Sequence, residues 1–167
     1  SRDHTERLLR AMGADVRVDG LAVTVQGYGP GRPSLRGVDV TLPGDLSTAA
    51  FLVAAGAVVP DALLVVRRVG VNPTRTGVLD ALAAMGARLA AVPRGAEAGE
   101  PVSDLHVLTS SLRGTVIEGD LVPLLIDELP VLAVVATQAH GETVVRDAGE
   151  LRHKESDRIR ATVTQLR

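Results

Sequence analysis

The sequence lacks several residue types whose absence excludes whole classes of protein. Its 167 residues include no cysteine, which excludes a disulfide framework, a thiolate zinc site and a cysteine nucleophile. The aromatic residues are only Tyr28 and Phe51, too few for a platform on which nucleic-acid bases stack. No apolar run approaches the roughly 20 residues of a membrane helix, and no signal peptide opens the chain. We therefore expect a cytoplasmic protein without a membrane or nucleic-acid partner.

The charge composition is balanced in number but uneven in kind. The formal net charge is −2 and the isoelectric point is about 6.1, so no broad basic surface for nucleic acid is expected. Of the 18 basic residues, 17 are arginine, and Lys154 is the single lysine. This single lysine is present either by chance, on an exposed helix, or because a function requires its ammonium group.

The hydrophobic residues make up 46% of the chain and are almost all aliphatic, which is typical of a mixed α/β core. Helix signals and strand signals alternate, and this favours α/β architecture. The length alone predicts one domain or two very small ones. The predicted helices cover residues 1–12, 45–57, 74–85, 127–139 and 159–167, and the predicted strands cover residues 15–19, 21–26, 38–42, 62–67, 88–92, 105–109, 115–118 and 143–146. Residues 27–33 and 93–101 are predicted to be loops.

Parts of the sequence recur. The motif RAMGA at residues 10–14 matches AAMGA at 83–87, and in this alignment Arg2 and Arg75 both fall in the first turn of a helix. An acid opens an apolar helix at Asp45 and again at Asp127, 82 positions later. A period of about 80 residues is too long for a short-repeat solenoid and indicates a duplicated subdomain.

The two ends of the sequence both fall in predicted helices. Ser1 is a possible N-cap for the first helix, which Gly13 ends, whereas the last helix has no stop signal. There is no initiating methionine. We expect the chain to be a slice of something longer.

Cations stand at three predicted helix starts, where free backbone N–H groups already favour anions. One interpretation is that they bind a phosphate or carboxylate ligand. The alternative is that each pairs with a nearby acid, such as Asp3 for Arg2 and Asp80 for Arg75. We favour pairing for Arg75. For the last group we favour a ligand, because two of its cations are four residues apart and would share a helical face; this group comprises Arg152, Lys154 and Arg158.

The acids allow the same two interpretations. Asp127 begins an apolar helix, where an aspartate needs no reason beyond capping, but Glu128 follows it at once and makes a functional pair possible. The histidines show no metal-ligand spacing; we expect His106 to lie in a strand and the other histidines to be exposed, namely His4, His140 and His153. No phosphate-binding glycine loop, nucleophile elbow or dinucleotide fingerprint is present.

These motifs resemble those of 5-enolpyruvylshikimate-3-phosphate synthase, a family also called 3-phosphoshikimate 1-carboxyvinyltransferase. The resemblance spans the whole chain and rests on five motifs in family order, of which the last is the most specific: SRDHTE at 1–6, PGDLSTAAF at 43–51, GVNPTRTG at 70–77, DELPVLA at 127–133 and ELRHKESDR at 150–158. His153 stands where the family usually has valine. The roles of Arg75, Arg152 and His153 stay open.

The resemblance implies a two-domain enzyme with the α/β (α+β) fold of the enolpyruvyl transferases. Each domain is an inside-out barrel of three βαβαββ units, incomplete here. Residues 1–42 would close the first domain, residues 43–46 would cross between domains, and residues 47–167 would hold one unit and part of the next. The implied reaction moves the enolpyruvyl group of phosphoenolpyruvate to the 5-hydroxyl of shikimate 3-phosphate and releases phosphate. The resemblance implies no metal, no organic cofactor and a monomeric parent enzyme.

The resemblance also assigns roles to residues. Arg2 would bind the phosphate of shikimate 3-phosphate, and Asp127 would hold its ring hydroxyls and accept the 5-hydroxyl proton. Lys154 would bridge both substrates, Glu155 would transfer a proton to the enol carbon, and Arg158 would bind phosphoenolpyruvate. Fixed cations suit two polyanionic substrates held side by side, and a carbon protonation needs a positioned acid.

Two other functions compete with this one. A related enolpyruvyl transferase acts on a UDP-sugar and usually carries a catalytic cysteine, which this sequence lacks. A non-catalytic α/β module that binds anions or a protein is the other. Because several of the family's substrate contacts have no counterpart in the sequence, we expect the 167-residue chain alone to have no synthase activity.

Overall fold

Helices and strands alternate along most of the chain, as the hydrophobic pattern predicts. The computed structural model describes residues 2–27, 29 and 35–167. The α-helices are α1 (His4–Ala11), α2 (Leu46–Val58), α3 (Gly77–Ala84), α4 (Val122–Leu125), α5 (Leu129–Ala136) and α6 (Arg158–Gln165). The strands are β1 (Val16–Asp19), β2 (Ala22–Val25), β3 (Leu63–Gly70), β4 (Arg88–Glu97), β5 (Glu100–Leu108), β6 (Val116–Ile117) and β7 (Val144–Val145). Short 3₁₀ turns cover Gly119–Leu121 and Gly149–His153.

The strands form three small sheets. β1 and β2 make an antiparallel hairpin, and β3, β5 and β4 form an antiparallel sheet with β5 in the centre. β6 and β7 pair in parallel, and α5 lies in the chain segment that connects them. Gly44 likewise forms a parallel bridge with Val69, with α2 in the connection. Parallel pairing across a helical connection therefore occurs twice, once between two strands and once at an isolated bridge, and the predicted mixed α/β class with repeated units is confirmed.

The core lies between the central sheet and helices α2, α3 and α5. Its most buried side chains are aliphatic, apart from one methionine: Val53, Val69, Val78, Leu82, Met85, Val107, Ile117, Leu125 and Val135. Gly56 lets α2 approach β5 closely, since a Cβ there would lie 2.5 Å from Cγ1 of Val107. The core buries the apolar surface that the composition supplies, and burial of this kind is the main stabilising contribution to a fold.

Several predicted helix ends are found in the structure. The Asp45 carboxylate accepts a hydrogen bond from the Thr48 amide at 2.8 Å and caps α2 as predicted. Gly13 follows α1 with a positive φ of 95° and ends it. The predicted cap Ser1 lies outside the described residues, and Asp3 occupies the N-cap position of α1 without a capping bond from its side chain.

Two predictions of secondary structure are wrong. Residues 38–42 form no strand. Among the described residues they have no strand partner and are largely exposed, so their apolar side chains are not buried against a sheet. Residues 93–101 are not a loop but the two arms and tip of the β4–β5 hairpin. The ladder shifts register between Pro93 and Gly95, which accommodates a residue without an amide hydrogen.

The cationic helix starts also differ from the prediction. Arg2 and Arg75 each precede the N-cap residue of a helix, so neither lies in a first turn. Lys154 follows a 3₁₀ turn with an extended backbone, and α6 begins only at Arg158. Lys154 and Arg158 therefore do not share a helical face. Within the described part of the chain, no helix has the length and apolar character needed to cross a membrane.

Candidate functional site

Asp127 lies in the tight turn between α4 and α5. Glu128, not Asp127, takes the N-cap position of α5, and the side chain of Glu128 forms no capping bond. Asp127 therefore does not cap the helix, unlike its repeat counterpart Asp45. Its side chain is about one third exposed, at 37%, and its carboxylate is directed towards cations instead.

Three cations from distant parts of the sequence surround the Asp127 carboxylate. Arg158 Nη1 lies 3.1 Å from Oδ1, and Lys154 Nζ lies 3.8 Å from the same oxygen. Arg2 Nη2 lies 3.6 Å from Oδ2. We call Arg2, Asp127, Lys154, Glu155 and Arg158 the Asp127 cluster. The structure thus brings together every residue that the sequence proposes for the site.

A second carboxylate is bound within the cluster. Glu155 accepts two hydrogen bonds from the Arg158 guanidinium, each 2.9 Å long. This bidentate contact, together with the nearby charge of Lys154, lowers the pKa of Glu155 below its ordinary value. In this arrangement Glu155 is therefore ionised at neutral pH. Lys154 also pairs with Glu150 at 2.9 Å.

Arg2 and Arg75 do not pair with the acids that the sequence places nearest to them. Arg2 contacts Asp127 and not Asp3, and Arg75 lies 3.3 Å from Asp45 instead of pairing with Asp80. The pairing with an acid that we favoured for Arg75 is found, but its partner is Asp45 and not Asp80. In the last group the partners are close in sequence: Arg152 lies 3.2 Å from Asp157, and Arg158 binds Glu155.

Glu128 faces the opposite way from Asp127, into the protein. Its residue is only 3% exposed, and Oε1 accepts a hydrogen bond from the Ser47 hydroxyl. The Ser47 oxygen in turn accepts a hydrogen bond from Arg75 at 2.7 Å. This relay connects the starts of α2, α3 and α5. The two neighbouring acids therefore have different roles: Glu128 connects helix starts through hydrogen bonds, whereas Asp127 forms ion pairs with the cations.

A second polar network lies beside Arg2. The Asn72 amide nitrogen donates to Asp3 Oδ1 at 2.6 Å and to Glu100 Oε2 at 2.8 Å. His4 Nδ1 lies 2.7 Å from Glu100 Oε1, so His4 is partly buried and not exposed as predicted. His106 lies in β5, and His140 and His153 are exposed, as predicted.

Asp3, His4 and Glu100 are the one group in the described chain with metal-ligand geometry. One potential ligand atom from each lies within 4.8 Å of the others. The Asn72 amide already donates to both carboxylates, and the imidazole contacts one of them. Hydrogen bonds therefore account for the arrangement of these side chains without an ion.

A cavity of about 390 Å³ adjoins this network but not the Asp127 cluster. It is lined by side chains from α1, the segment around Pro43, and the starts of α2 and α3, among them Leu8, Leu42, Asp45 and Arg75. The cavity is largely apolar, whereas the residue types suited to binding anions converge on Asp127. The convergence of charge, not the cavity, marks the candidate site.

Sequence reasoning missed two residues near the site, Asn72 and Ser47. Asn72 had a local signal, since an asparagine before Pro73 and Thr74 favours a side-chain turn. The side-chain oxygen of Asn72 indeed accepts hydrogen bonds from the Thr74 amide and hydroxyl, each 2.8 Å long. Ser47 had no such signal, because its partners are 28 and 81 positions away.

Comparison with known proteins agrees with the motifs. The model of the family EPSP synthase (3-phosphoshikimate 1-carboxyvinyltransferase) matches residues 1–167. The 3-phosphoshikimate 1-carboxyvinyltransferase of Desulforudis audaxviator is 56% identical over 99% of this chain, and that of Geobacillus kaustophilus is 52% identical over 100%. The chain spans about 38% of the length of each of these relatives.

Solved structures give the same result. An EPSP synthase from Acinetobacter baumannii superposes with a TM-score of 0.92 at 44% identity, covering 99% of this chain and 37% of that one. The enolpyruvyl transferase NikO from Streptomyces tendae superposes with a TM-score of 0.61 at 27% identity, covering 84% of this chain and 31% of that one. The chain therefore belongs to the EPSP synthase (3-phosphoshikimate 1-carboxyvinyltransferase) family.

Proposed function

We propose that the chain is part of an enzyme that transfers the enolpyruvyl group of phosphoenolpyruvate to the 5-hydroxyl of shikimate 3-phosphate, with release of phosphate. The observation that carries the proposal is the convergence of Arg2, Lys154 and Arg158 on the Asp127 carboxylate. Both substrates are polyanions, and closely spaced fixed cations hold such substrates side by side. We include in the proposal a cytoplasmic, monomeric parent enzyme.

The geometry supports a division of roles within the Asp127 cluster. Asp127 is the base that accepts the 5-hydroxyl proton as the hydroxyl oxygen bonds to carbon 2 of phosphoenolpyruvate. Arg2 binds the phosphate of shikimate 3-phosphate, and Arg158 binds phosphoenolpyruvate. Lys154, whose compact ammonium reaches both Asp127 and Glu150, bridges the two substrates. The bond between carbon 2 and the phosphate oxygen then breaks while carbon 3 returns a proton to Glu155, which restores the carbon–carbon double bond and releases phosphate.

Glu155 needs a proton before it can deliver one to the enol carbon. While Arg158 holds it, the carboxylate stays ionised, because its pKa is lowered. An anionic substrate that takes over the Arg158 guanidinium removes the contact that lowers this pKa. In this proposal, binding of phosphoenolpyruvate itself prepares Glu155 for protonation.

The domain assignment is likewise part of the proposal. Residues 1–42 belong to one domain, residues 43–46 cross to the next, and residues 47–167 belong to the second. In support, α1 packs beside β1, and β1 pairs with β2, whereas α2 packs on β3 and β5. Arg2 would then reach the cluster from the first domain and the other members from the second.

The proposed pKa effect makes a prediction for Glu155 that needs no substrate. In Arg158→Gln the bidentate contact is lost, so the pKa of Glu155 should rise towards its ordinary value. The measurement is a carbon-13 NMR titration of the glutamate carboxyls in the 167-residue chain. Because the folded pKa is depressed, the ion pair exists above the ordinary pKa and is lost as pH falls through the lowered one.

Arg152→Gln is the matched control for that titration. Arg152 pairs with Asp157, so its loss should leave the Glu155 titration where it is in the unchanged chain. An Arg158→Gln variant with an unmoved Glu155 titration would contradict the contact as the cause.

Turnover decides the proposed function. We expect the full-length enzyme to release phosphate from phosphoenolpyruvate when shikimate 3-phosphate is the acceptor and not when UDP-N-acetylglucosamine is, and the 167-residue chain alone to release none. The measurement is a coupled phosphate assay with each acceptor in turn. Turnover with the UDP-sugar alone would establish the competing transferase function, and no turnover with either acceptor would favour a binding module.

A further inference from the structure

Asn72 is the most completely buried polar side chain near the Asp127 cluster that the proposed reaction leaves without a role. Its residue is 2% exposed. The amide nitrogen donates to Asp3 and Glu100, and the amide oxygen accepts from the backbone amide and the hydroxyl of Thr74. Buried amides are costly when they are unpaired, so a side chain with both ends fully engaged fixes its neighbours firmly.

Both ends of the Asn72 amide act on the surroundings of Arg2. The carbonyl oxygen of Thr74, the residue that the amide oxygen holds, accepts a hydrogen bond from Arg2 Nη1. Asp3, which the amide nitrogen holds, is the residue next to Arg2 in the chain. Asn72 thus holds both the residue that accepts a hydrogen bond from the Arg2 guanidinium and the side chain of the residue next to Arg2 in the chain.

Only an amide satisfies these partners at once. Aspartate would place a third carboxylate against Asp3 and Glu100 and would lose both donated bonds. Leucine, similar in size, would leave the Thr74 amide, Asp3 Oδ1 and Glu100 Oε2 without the hydrogen bonds that Asn72 makes to them. The site therefore selects a side chain that donates at one end and accepts at the other.

We propose that Asn72 is a positioning residue for Arg2: it holds the guanidinium where it meets Asp127 and the phosphate of the acceptor. This inference rests on the proposed function. The hydrogen bonds described for Asn72 do not include Asp127, and the proposed reaction gives Asn72 no substrate contact, so its effect passes through Arg2. It follows that loss of Asn72 weakens binding of shikimate 3-phosphate selectively and has no further effect once Arg2 is absent.

A double-mutant cycle in the full-length enzyme tests this dependence. We expect Asn72→Ala to raise KM for shikimate 3-phosphate between about tenfold and a hundredfold, since small misplacements of a binding group cost that much. KM for phosphoenolpyruvate should change less than about twofold, which is far smaller than a tenfold change in affinity. In an Arg2→Ala background, Asn72→Ala should raise KM for shikimate 3-phosphate no further.

Two further variants keep the test decisive. Thr74→Val removes the hydroxyl that donates to Asn72 while it keeps the side-chain shape, and it should show the same selectivity and the same dependence on Arg2 if Asn72→Ala fails to fold. Ser103→Ala, at a buried polar position on β5 outside the contacts described for Asn72, is the control and should leave both KM values unchanged.

The outcomes separate the two proposals. An active enzyme in which Asn72→Ala or Thr74→Val raises both KM values alike, or raises KM for shikimate 3-phosphate equally with and without Arg2, overturns the positioning role and leaves the proposed function standing. If the full-length enzyme without any substitution turns over neither shikimate 3-phosphate nor UDP-N-acetylglucosamine, the proposed function is overturned and the inference with it.

Discussion

Replacing Asp127 by asparagine in the full-length enzyme is expected to lower kcat by about 10³-fold, within the range of roughly 10² to 10⁴ typical of a lost general base. Asparagine keeps the size of the side chain but can neither take the proposed role of accepting the 5-hydroxyl proton nor balance the charges of Arg2, Lys154 and Arg158. Because the Asp127 side chain forms no capping bond to α5, the helix should form without it. The measurement is the rate of phosphate release under saturating substrates.

Asp45→Asn is the matched control, since Asp45 occupies the corresponding position of the repeat. Its carboxylate caps α2 and lies 3.3 Å from Arg75, and asparagine caps a helix about as well as aspartate. We expect kcat within about twofold of the unchanged enzyme, since the cap of α2 is retained and Asp45 has no role in the proposed reaction. Equal losses in both variants would show that the Asp127 effect arises from folding and not from chemistry.

The contrast between Asp45 and Asp127 also shows how far the sequence alone leads. Local patterns predicted α2, its cap and the end of α1 correctly, because the partners of these features lie within four residues. The same pattern suggested a cap at Asp127, where the structure shows none. The preceding short helix α4 alters the approach to α5 and brings Glu128 to the N-cap position.

The Asp127 cluster required information that spacing does not contain. Residue type and position made its cations and Asp127 candidates, and the resemblance to a family assigned the roles. Their distances follow from the fold, which brings Arg2 within 3.6 Å of a residue 125 positions away. The roles of Asn72 and Ser47 could not be predicted from the sequence, because they depend on partners from other segments. Residues 93–101 were misread as a loop for the opposite reason: proline and glycine signal a break, but here the bulge at Pro93 and a tight turn at Ala98 and Gly99, both with positive φ, continue the hairpin.

The second large effect is expected at Gly77, the first residue of α3. A Cβ there would lie 2.9 Å from Cβ of Leu124 and 3.0 Å from its carbonyl carbon. Alanine normally gains at most about 1 kcal/mol over glycine within a helix. Overpacking against a backbone that must move costs about 1–3 kcal/mol. We therefore expect Gly77→Ala to lower the free energy of unfolding, as measured by urea denaturation.

Gly37→Ala is the control for stability, because within the described part of the chain no atom beyond its two chain neighbours lies within 4 Å of its added Cβ, and its φ is not in the left-handed region. It should leave the free energy of unfolding within about 0.5 kcal/mol of the unchanged chain. A stability loss in Gly77→Ala no larger than that in Gly37→Ala would mean that α4 moves away from the added Cβ at no cost in free energy.

The effect of Gly77→Ala on activity tests whether α4 supports the Asp127 cluster. Leu124 lies in α4, which leads into the turn that carries Asp127, and the carbonyl of Pro123 in the same helix is 3.4 Å from Arg2 Nη1. A displaced α4 moves both groups at once. We therefore expect kcat/KM for shikimate 3-phosphate to fall by about tenfold or more even at temperatures where the variant is fully folded, since misplacement of about 1 Å is enough. Normal turnover by the folded variant would show that the turn holds Asp127 in place independently of α4, so that the position of the proposed base depends on the cations around it.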